Sequence, residues 1–276
     1  MNPMHPTMRY PIIALFAALL MLGGCRIKNV NLDEGLRPYF DAEKVDGSFA
    51  LYDNARNDFT IYNMKRDTTR MTPASTFKIV NALVALQTGR LADDSAIIKW
   101  DGVVRPRQET NQDLSLYRAF RLSSVSHFQQ IARSIGRDTL RAWMDSLQYG
   151  NKNLGTHIDS FWLDNSLKIS PDEELGLVKK LYFHQLPFRV SVQDMVKKMM
   201  VQENNTTYQL AYKTGLGRTE QGENVAWMVG WIEENRHVYP FVLNIGTRDD
   251  ATDLAAVRSR ILRNVLTSIG FFQGRM

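Results

Sequence analysis

The chain contains very little cysteine and histidine. Its 276 residues include one cysteine and five histidines. A single cysteine excludes a disulfide within the chain and a metal site built from several cysteines. None of the histidines stands in an H-E-x-x-H or comparable spacing, and neither G-x-x-x-x-G-K nor a complete G-x-G-x-x-G occurs. The sequence therefore predicts no metal site, no zinc-dependent hydrolysis and no bound cofactor of the nucleotide type.

The chain also lacks a concentration of charge of one sign. Lys and Arg number 34 against 29 Asp and Glu, and the formal net charge is +5 with the two signs interspersed. Binding of nucleic acid requires a basic stripe that neutralises phosphates, so we expect no nucleic-acid partner. Hydrophobic residues make up 44% of the chain, which is enough for the core of one large domain or two small ones.

An apolar stretch occupies the N-terminus. Arg9 precedes apolar residues 11–22, which are followed by two glycines and Cys25, the pattern of a cleaved export signal. The tetrapeptide ending at Cys25 resembles a bacterial lipobox, which implies that the cysteine is lipidated and begins the mature protein. We therefore expect a lipoprotein signal peptide at 1–24 and an exported, periplasmic protein anchored by lipid. An ordinary signal peptide with an incidental cysteine and an uncleaved anchor are the alternatives.

The pattern of strands and helices predicts the fold class. Residues 25–44 are typical of a linker and N-terminal segment, and a single domain is expected at 45–276. A hairpin begins this domain, a mostly helical region spans 91–205, and three strands and a final helix follow. Strands at both ends with helices between them predict an α+β fold, with a central antiparallel sheet flanked by helices and a helical lobe.

A serine and a lysine stand three residues apart in "PASTFK", ahead of an apolar helical pattern. Ser75 and Lys78 would share a face of the first helical turn, with Pro73 near its start. A serine hydroxyl needs a nearby base, and a lysine serves only when neutral or chemically modified. Burial among apolar neighbours would lower the pKa of Lys78, and the Ser75 N–H is placed to stabilise an oxyanion. The alternative is a capping serine with a solvated lysine.

Two further motifs favour catalysis over that alternative. Ser123 and Val125 form S-x-V in "LSSVSHF", and "YKTGLG" provides Lys213, Thr214 and Gly215 at the end of a predicted strand. In chain order, S-x-x-K, S-x-V and K-T-G form the arrangement of penicillin-recognising serine enzymes. The three motifs together are specific, whereas S-x-x-K alone is common.

The remaining motifs resemble those of the class D (oxacillinase-type) β-lactamases. "YGN" at 149–151 is similar to that family's third motif, and "FWLDNSLKISPDE" is similar to its tryptophan-bearing loop. The resemblance covers nearly the whole mature chain and implies the β-lactamase/transpeptidase-like fold. It also implies hydrolysis of β-lactam antibiotics through a serine acyl-enzyme, and hence antibiotic resistance. No bound cofactor is implied, and CO2 or bicarbonate would serve to carboxylate a lysine.

The resemblance implies a role for each matching residue. Ser75 would be the acylated nucleophile, and Lys78 would be N-carboxylated, its carbamate acting as general base for both acylation and deacylation. Ser123 would relay a proton to the lactam nitrogen, while Lys213 would be catalytic and meet the substrate carboxylate. The carbamate pocket would be walled by Val125, Trp162 and Leu163. The substrate would be bound by Val125, Thr214, Gly215, Leu216 and Arg258. The Ser75 and Leu216 N–H groups would form the oxyanion hole.

One position departs from the family pattern, and two other functions stay open. Asn165 stands where the family usually has glycine, a change expected to alter the backbone of the tryptophan loop and hence carbamate stability or access of water. A penicillin-binding D,D-peptidase or transpeptidase would share the nucleophile motif. A β-lactam sensor domain would be acylated without turnover, but the short N-terminus before the domain disfavours it. A monomer or a homodimer is expected.

Overall fold

The computed structural model describes residues 29–273. The predicted signal peptide at 1–24 and Cys25 lie outside the described residues. Nine strands are present in this part of the chain: β1 (Val30–Leu32), β2 (Asp46–Asp53), β3 (Asp58–Tyr62), β4 (Ile97–Ile98), β5 (Leu114–Ser115), β6 (Val201–Asn204), β7 (Tyr208–Arg218), β8 (Asn224–Glu234) and β9 (His237–Thr247).

Seven of these strands form the main sheet, in the order β1-β3-β2-β9-β8-β7-β6. The N-terminal hairpin β2–β3 joins the C-terminal strands where β2 pairs with β9, from Asp46 opposite Gly246 to Leu51 opposite Phe241. This arrangement confirms a sheet assembled from both ends of the chain. The sheet is not wholly antiparallel, because β1 pairs in parallel with β3 at its edge. Residues 29–44, expected to precede the domain, thus contribute an edge strand and the buried side chains of Leu36 and Phe40.

Helices cover both faces of the sheet. In chain order the described helices are α1 (Arg37–Asp41), α2 (Met64–Asp67), α3 (Lys78–Gln87), α4 (Leu116–Arg121), α5 (Val125–Ile135), α6 (Arg137–Leu147), α7 (Pro171–Tyr182), α8 (Val190–Met200) and α9 (Leu254–Ser268). One core cluster lies between the sheet and α9 with α1. The other lies between the opposite face and the helical lobe α3–α8. The fold therefore has three layers, and it confirms the predicted α+β class with a helical lobe. No helix within residues 29–273 has the length and hydropathy needed to cross a bilayer.

Helix α3 lies at the centre of the lobe. Every residue from Lys78 to Leu86 is buried, which is the property of a helix enclosed on all sides. Helices α5 and α8 pack against it. The first residue of this enclosed helix is the lysine of the "PASTFK" motif, so the fold places a titratable amine inside the apolar lobe.

The close pairing of β7 with β8 requires glycine at Gly230. A Cβ atom added there would lie 1.9 Å from the Ala211 carbonyl oxygen and 2.6 Å from the Tyr212 Cα atom. We expect Gly230→Ala to lower the free energy of unfolding by about 1–3 kcal/mol or more, because the backbone of β7 must move. The change in stability is measured from the midpoint of urea-induced unfolding.

A glycine in an open position serves as the matched control. An added Cβ atom at Gly176 in α7 would meet nothing within 4 Å, so Gly176→Ala should raise stability by about 0.5–1 kcal/mol through helix propensity. Equal effects of the two substitutions on the free energy of unfolding would show that the close approach of β7 to β8 does not restrict the side chain at position 230.

Candidate active site

The nucleophile motif forms a tight turn rather than the start of an α-helix. Residues Ala74–Phe77 are a 3-10 helix, and α3 begins only at Lys78. A 3-10 helix has three residues per turn, so side chains three apart eclipse one another. Ser75 and Lys78 are brought together in this way, with 2.7 Å between Ser75 Oγ and Lys78 Nζ.

The turn is held against the K-T-G strand by close backbone contact. Ala74 has a φ of 49°, which is uncommon for a residue with a side chain. A Cβ atom added at Gly215 would lie 2.9 Å from the Pro73 carbonyl oxygen, and one added at Gly217 would lie 3.2 Å from the Ala74 Cβ atom. The two glycines of β7 thus allow the strand to lie directly against the backbone that precedes Ser75.

Ser123 joins the two lysines. It has a φ of 53° in the turn before α5, and its carbonyl oxygen and Oγ lie 2.8 Å and 3.2 Å from Lys78 Nζ. Lys213 Nζ in β7 donates to the same hydroxyl at 2.9 Å and to the Thr214 carbonyl oxygen at 3.1 Å. The structure therefore brings Ser75, Lys78, Ser123 and Lys213, from three separate motifs, into one cluster.

Both lysine side chains lie in an environment that disfavours their charged form. Lys78 is fully buried, and burial, followed by the charges of Lys213 and Arg107, lowers the pKa of Lys78 well below its usual 10.5. Burial lowers the pKa of Lys213 to about 7, with further contributions from Arg258, Arg107 and Arg121. Burial and the neighbouring positive charges therefore favour the neutral form of the Lys78 amine.

Three oxygen atoms surround Lys78 Nζ and accept its hydrogen bonds. They are Ser75 Oγ at 2.7 Å, the Ser123 carbonyl oxygen at 2.8 Å and Ser123 Oγ at 3.2 Å. A neutral amine has only two N–H donors and one lone pair, so in that form the lone pair can accept from the Ser75 hydroxyl. In its neutral form the Lys78 amine is therefore placed to act as a base toward Ser75. The Ser123 hydroxyl accepts from both lysines, which leaves its own proton available.

The free edge of β7 supplies backbone donors. Strand β6 pairs with β7 only as far as Ala211, so the later part of this edge has no strand neighbour among the described residues. The Tyr212 carbonyl oxygen faces it and accepts from Gln202 Nε2 at 2.9 Å. Because backbone groups alternate sides along a strand, the N–H of Leu216 faces the same edge. This direction is the one required of the second oxyanion-hole donor.

The predicted substrate-binding residues surround this cluster. Arg258 in α9 is mostly buried and donates through Nη1 to the Gly215 carbonyl oxygen at 2.7 Å. Burial lowers its pKa to about 10. Thr214 is half-buried, while Val125 and Leu216 are 40% and 49% exposed. Arg258 therefore reaches the backbone of the K-T-G strand, and the two exposed side chains form an apolar rim.

Trp162 presents a buried donor without a partner. Its ring stacks on Phe77 with centroids 5.5 Å apart, and its carbonyl oxygen accepts from Thr72 Oγ1 at 3.1 Å. The indole N–H is buried and has no hydrogen-bond partner within residues 29–273. A buried donor without a partner is costly, so this N–H is suited to an additional acceptor. Leu163 is half-buried and packs on the core.

The "YGN" segment positions the tryptophan loop. Asn151 donates to the Ser166 carbonyl oxygen at 2.8 Å and accepts from the Lys168 N–H at 3.0 Å. Asn165 has a φ of 68°, a conformation that asparagine adopts more readily than most residues, and it donates to the Arg218 carbonyl oxygen at 2.9 Å. The departure from glycine at this position therefore keeps the backbone shape and adds a contact with the end of β7.

Two residues near the site were not predicted from the sequence. Glu174 in α7 is buried and accepts from Thr76 Oγ1 at 2.5 Å and from the Tyr149 hydroxyl at 2.9 Å. Its i, i+3, i+4 spacing with the apolar residues Leu177 and Val178 was the available signal. Arg107 lies in an irregular loop and donates to the Leu122 carbonyl oxygen at 2.5 Å. No periodicity in the sequence indicates its position.

No group of three His, Cys, Asp or Glu side chains in the described part of the chain is arranged to hold a metal ion. The chemistry available here is that of a serine hydroxyl, a buried amine whose neutral form is favoured, and backbone donors. These groups support attack on a carbonyl followed by acyl transfer.

Residues 42–267 match the family model described as the penicillin binding protein transpeptidase domain. The chain belongs to this family, and within it to the class D β-lactamases. It is 38% identical over 219 residues to the probable beta-lactamase YbxI of Bacillus subtilis (strain 168), covering 79% of each chain. It is 38% identical over 237 residues to beta-lactamase OXA-5 of Pseudomonas aeruginosa, covering 85% of this chain and 88% of that one.

Solved structures give the same relationship. The crystal structure of the class D beta-lactamase YbXI from Nostoc superposes with a TM-score of 0.82 at 37% identity, covering 87% of this chain and 99% of that one. The C-terminal domain of the Bacillus licheniformis BlaR penicillin-receptor superposes with a TM-score of 0.83 at 31% identity, covering 90% and 100%. The regulatory protein BlaR1 of that organism is 33% identical over 239 residues, covering 87% of this chain and 39% of its own length.

The buried carboxyl of Glu174 makes stability depend on pH. Burial raises its pKa from 4.5 to about 7, so the folded state holds a proton that the unfolded state releases between these values. Stability contributed by Glu174 therefore falls as pH rises from 4.5 to about 7, by at most about 1.4 kcal/mol per pH unit. Glu174→Gln does not titrate, so we expect it to gain stability relative to the parent between pH 5 and pH 7.5, measured by urea unfolding.

Its neighbour provides the control. Glu173 is partly exposed, and Arg70 and Ser170 hold its pKa below the usual value. The stability difference of Glu173→Gln from the parent should therefore be constant between pH 5 and pH 7.5. A constant difference for Glu174→Gln as well would contradict a protonated Glu174 beside Thr76.

Proposed function

We propose that the protein hydrolyses β-lactams through an acyl-enzyme formed on Ser75. The observation that carries this proposal is the buried Lys78 amine 2.7 Å from Ser75 Oγ. Membership of the class D family supports it, since the relatives YbxI and OXA-5 are named beta-lactamases. Resistance to β-lactam antibiotics is the consequence of this activity.

Acylation follows from the contacts of the site. The Ser75 oxygen attacks the lactam carbonyl carbon while its proton passes to Lys78. The Ser75 and Leu216 N–H groups stabilise the negative charge that develops on the carbonyl oxygen. The C–N bond then breaks, and the Ser123 hydroxyl delivers a proton to the nitrogen, replaced by the proton held on Lys78. Lys213 and Thr214, with Arg258 behind them, bind the substrate carboxylate.

Deacylation requires a base that can activate water after Ser75 has been esterified. Lys78 fits N-carboxylation, because only a neutral amine reacts with CO2 and burial favours the neutral form of this amine. The indole N–H of Trp162 has no other partner among the described residues and would hold the added group. When present, that carbamate would supply the base at Lys78 for both acylation and deacylation. Val125 and Leu163 would limit access of bulk water.

A β-lactam sensor is the second candidate, and the likeness to the BlaR penicillin-receptor domain favours it. A sensor shares the acylation step and differs only in lacking hydrolysis of the acyl-enzyme. A D,D-peptidase or transpeptidase would likewise be acylated by penicillin without rapid release. Turnover, rather than acylation, therefore separates the candidates.

We expect the purified protein, in bicarbonate, to turn over a chromogenic cephalosporin many times per molecule. Ser75→Ala should abolish all reaction, and Lys78→Ala should abolish release of product because no base remains for water. Acidic pH should inactivate the parent, since protonation of the amine removes bound CO2. A stoichiometric burst without steady state would contradict hydrolysis and favour the sensor.

Carboxylation can be measured without turnover. In 13C-labelled bicarbonate the parent should show a carbamate resonance, and Trp162→Phe should require about tenfold more bicarbonate for half of that signal, because a hydrogen bond to an anion is lost. Trp231→Phe is the matched control, since the Trp231 indole N–H is also buried without a partner in the described residues but lies in β8, beside Tyr182. Equal signals for all three proteins would contradict the assigned role of Trp162.

Export and anchoring remain part of the proposal. The apolar N-terminal stretch and the lipobox-like position of Cys25 support a lipidated, exported protein. We infer a β-lactam small molecule as the partner of the site.

A further inference from the structure

Arg107 lies beside the turn that carries Ser123. It precedes the short 3-10 helix Gln108–Thr110, in the loop between β4 and β5. Its side chain is exposed, and Nη1 donates to the Leu122 carbonyl oxygen at 2.5 Å. Because Leu122 directly precedes Ser123, the guanidinium lies at the solvent side of the cluster that contains the nucleophile.

The charge of Arg107 has no carboxylate partner in the described part of the chain. Arg105, two residues earlier, forms an ion pair with Asp101 at 2.6 Å, whereas Arg107 makes no ion pair within residues 29–273. One guanidinium N–H is used by Leu122, and a guanidinium offers five donors in a planar fork suited to carboxylates. An exposed arginine beside the Ser123 turn thus keeps most of its donors and its whole charge for a ligand.

The charges that act on the two lysines are all of one sign. Lys213 and Arg107 are the charges that lower the pKa of Lys78, and Arg258, Arg107 and Arg121 are those that lower the pKa of Lys213. A substrate with one carboxylate bound at Lys213 and Thr214 would neutralise only part of this charge. Arg107 lies beside the Leu122–Ser123 turn and not on β7. It can therefore contact a different part of the same substrate.

We propose that Arg107 is a specificity-determining residue that binds a second anionic group, carried on the acyl side chain of the substrate. The preferred substrates are then β-lactams with two carboxylates rather than one. This inference rests on the proposed acylation of Ser75 and assigns a substrate class to that site. The ring carboxylate is bound from β7, and the side-chain carboxylate is bound by the guanidinium fork.

The test uses two penicillins that differ by one carboxylate: benzylpenicillin and its α-carboxy analogue. The second-order rate constant for acylation of Ser75 is measured for each, in the parent and in Arg107→Gln, Arg107→Lys and Arg90→Gln. Gln at 107 removes the charge but can still donate to the Leu122 carbonyl oxygen. Arg90 is exposed just beyond the far end of α3, so its replacement makes the same change in net charge away from the site.

We expect Arg107→Gln to slow acylation by the dianionic penicillin about three- to tenfold more than by the monoanionic one, because a charge-assisted contact is lost. Arg107→Lys should keep most of the discrimination, and Arg90→Gln should leave the ratio of the two rates unchanged. Raised salt should reduce the parent's discrimination toward that of Arg107→Gln.

Two outcomes would overturn the assignment. An equal fall for both penicillins would mean that Arg107 only holds the Ser123 turn, and no change for either would mean that it does not meet the substrate. The acylation rates do not depend on hydrolysis of the acyl-enzyme. If both penicillins acylate the protein without turnover, the proposed hydrolysis is contradicted, and the ratio of the two acylation rates still tests the role of Arg107. Absence of acylation would overturn both proposals.

Discussion

The site depends on the burial of one amine. Lys78 begins a helix that is enclosed on all sides, and removal from water disfavours its ammonium form. A charged Lys78 would have three donors and no lone pair, so it could not accept the Ser75 proton. In the neutral form, two N–H donors can bond the Ser123 oxygens and the lone pair can accept from the Ser75 hydroxyl, whose oxygen lies 2.7 Å from Nζ. In the proposed mechanism, packing rather than a neighbouring histidine would thus activate Ser75.

Keeping that amine buried requires several segments to meet. Ser123 is supplied by the turn before α5, Lys213 by β7, and the Ser75 turn lies against the two glycines of β7. The buried Glu174 joins Thr76 in this turn to Tyr149. Each of these polar groups is costly to bury and is tolerated because a partner compensates it. The catalytic geometry is therefore coupled to the stability of the interface between the helical lobe and the sheet.

Two relatives that share the fold of this chain have names that indicate different functions. The Nostoc class D enzyme and the BlaR penicillin-receptor domain superpose equally well on this chain. The overall fold therefore does not separate a class D beta-lactamase from a penicillin receptor. The discriminating features are local: the base that follows acylation, the unpartnered indole of Trp162, and the tryptophan loop that Asn165 ties to the end of β7.

The pattern of strands and helices was enough to predict the α+β class. The order and spacing of the motifs singled out Ser75, Lys78, Ser123 and Lys213, which the structure brings together, because the three motifs in this order are specific to penicillin-recognising serine enzymes. Periodicity also predicted the hairpin and the C-terminal strands. It did not predict the 3-10 turn at Ala74–Phe77 or the parallel pairing of β1, since both follow from contacts with distant strands. Only the tertiary structure decided which charges meet: Arg107 and Glu174 are separated from Ser75 by 32 and 99 residues of sequence, and long-range packing alone brings them to its neighbourhood.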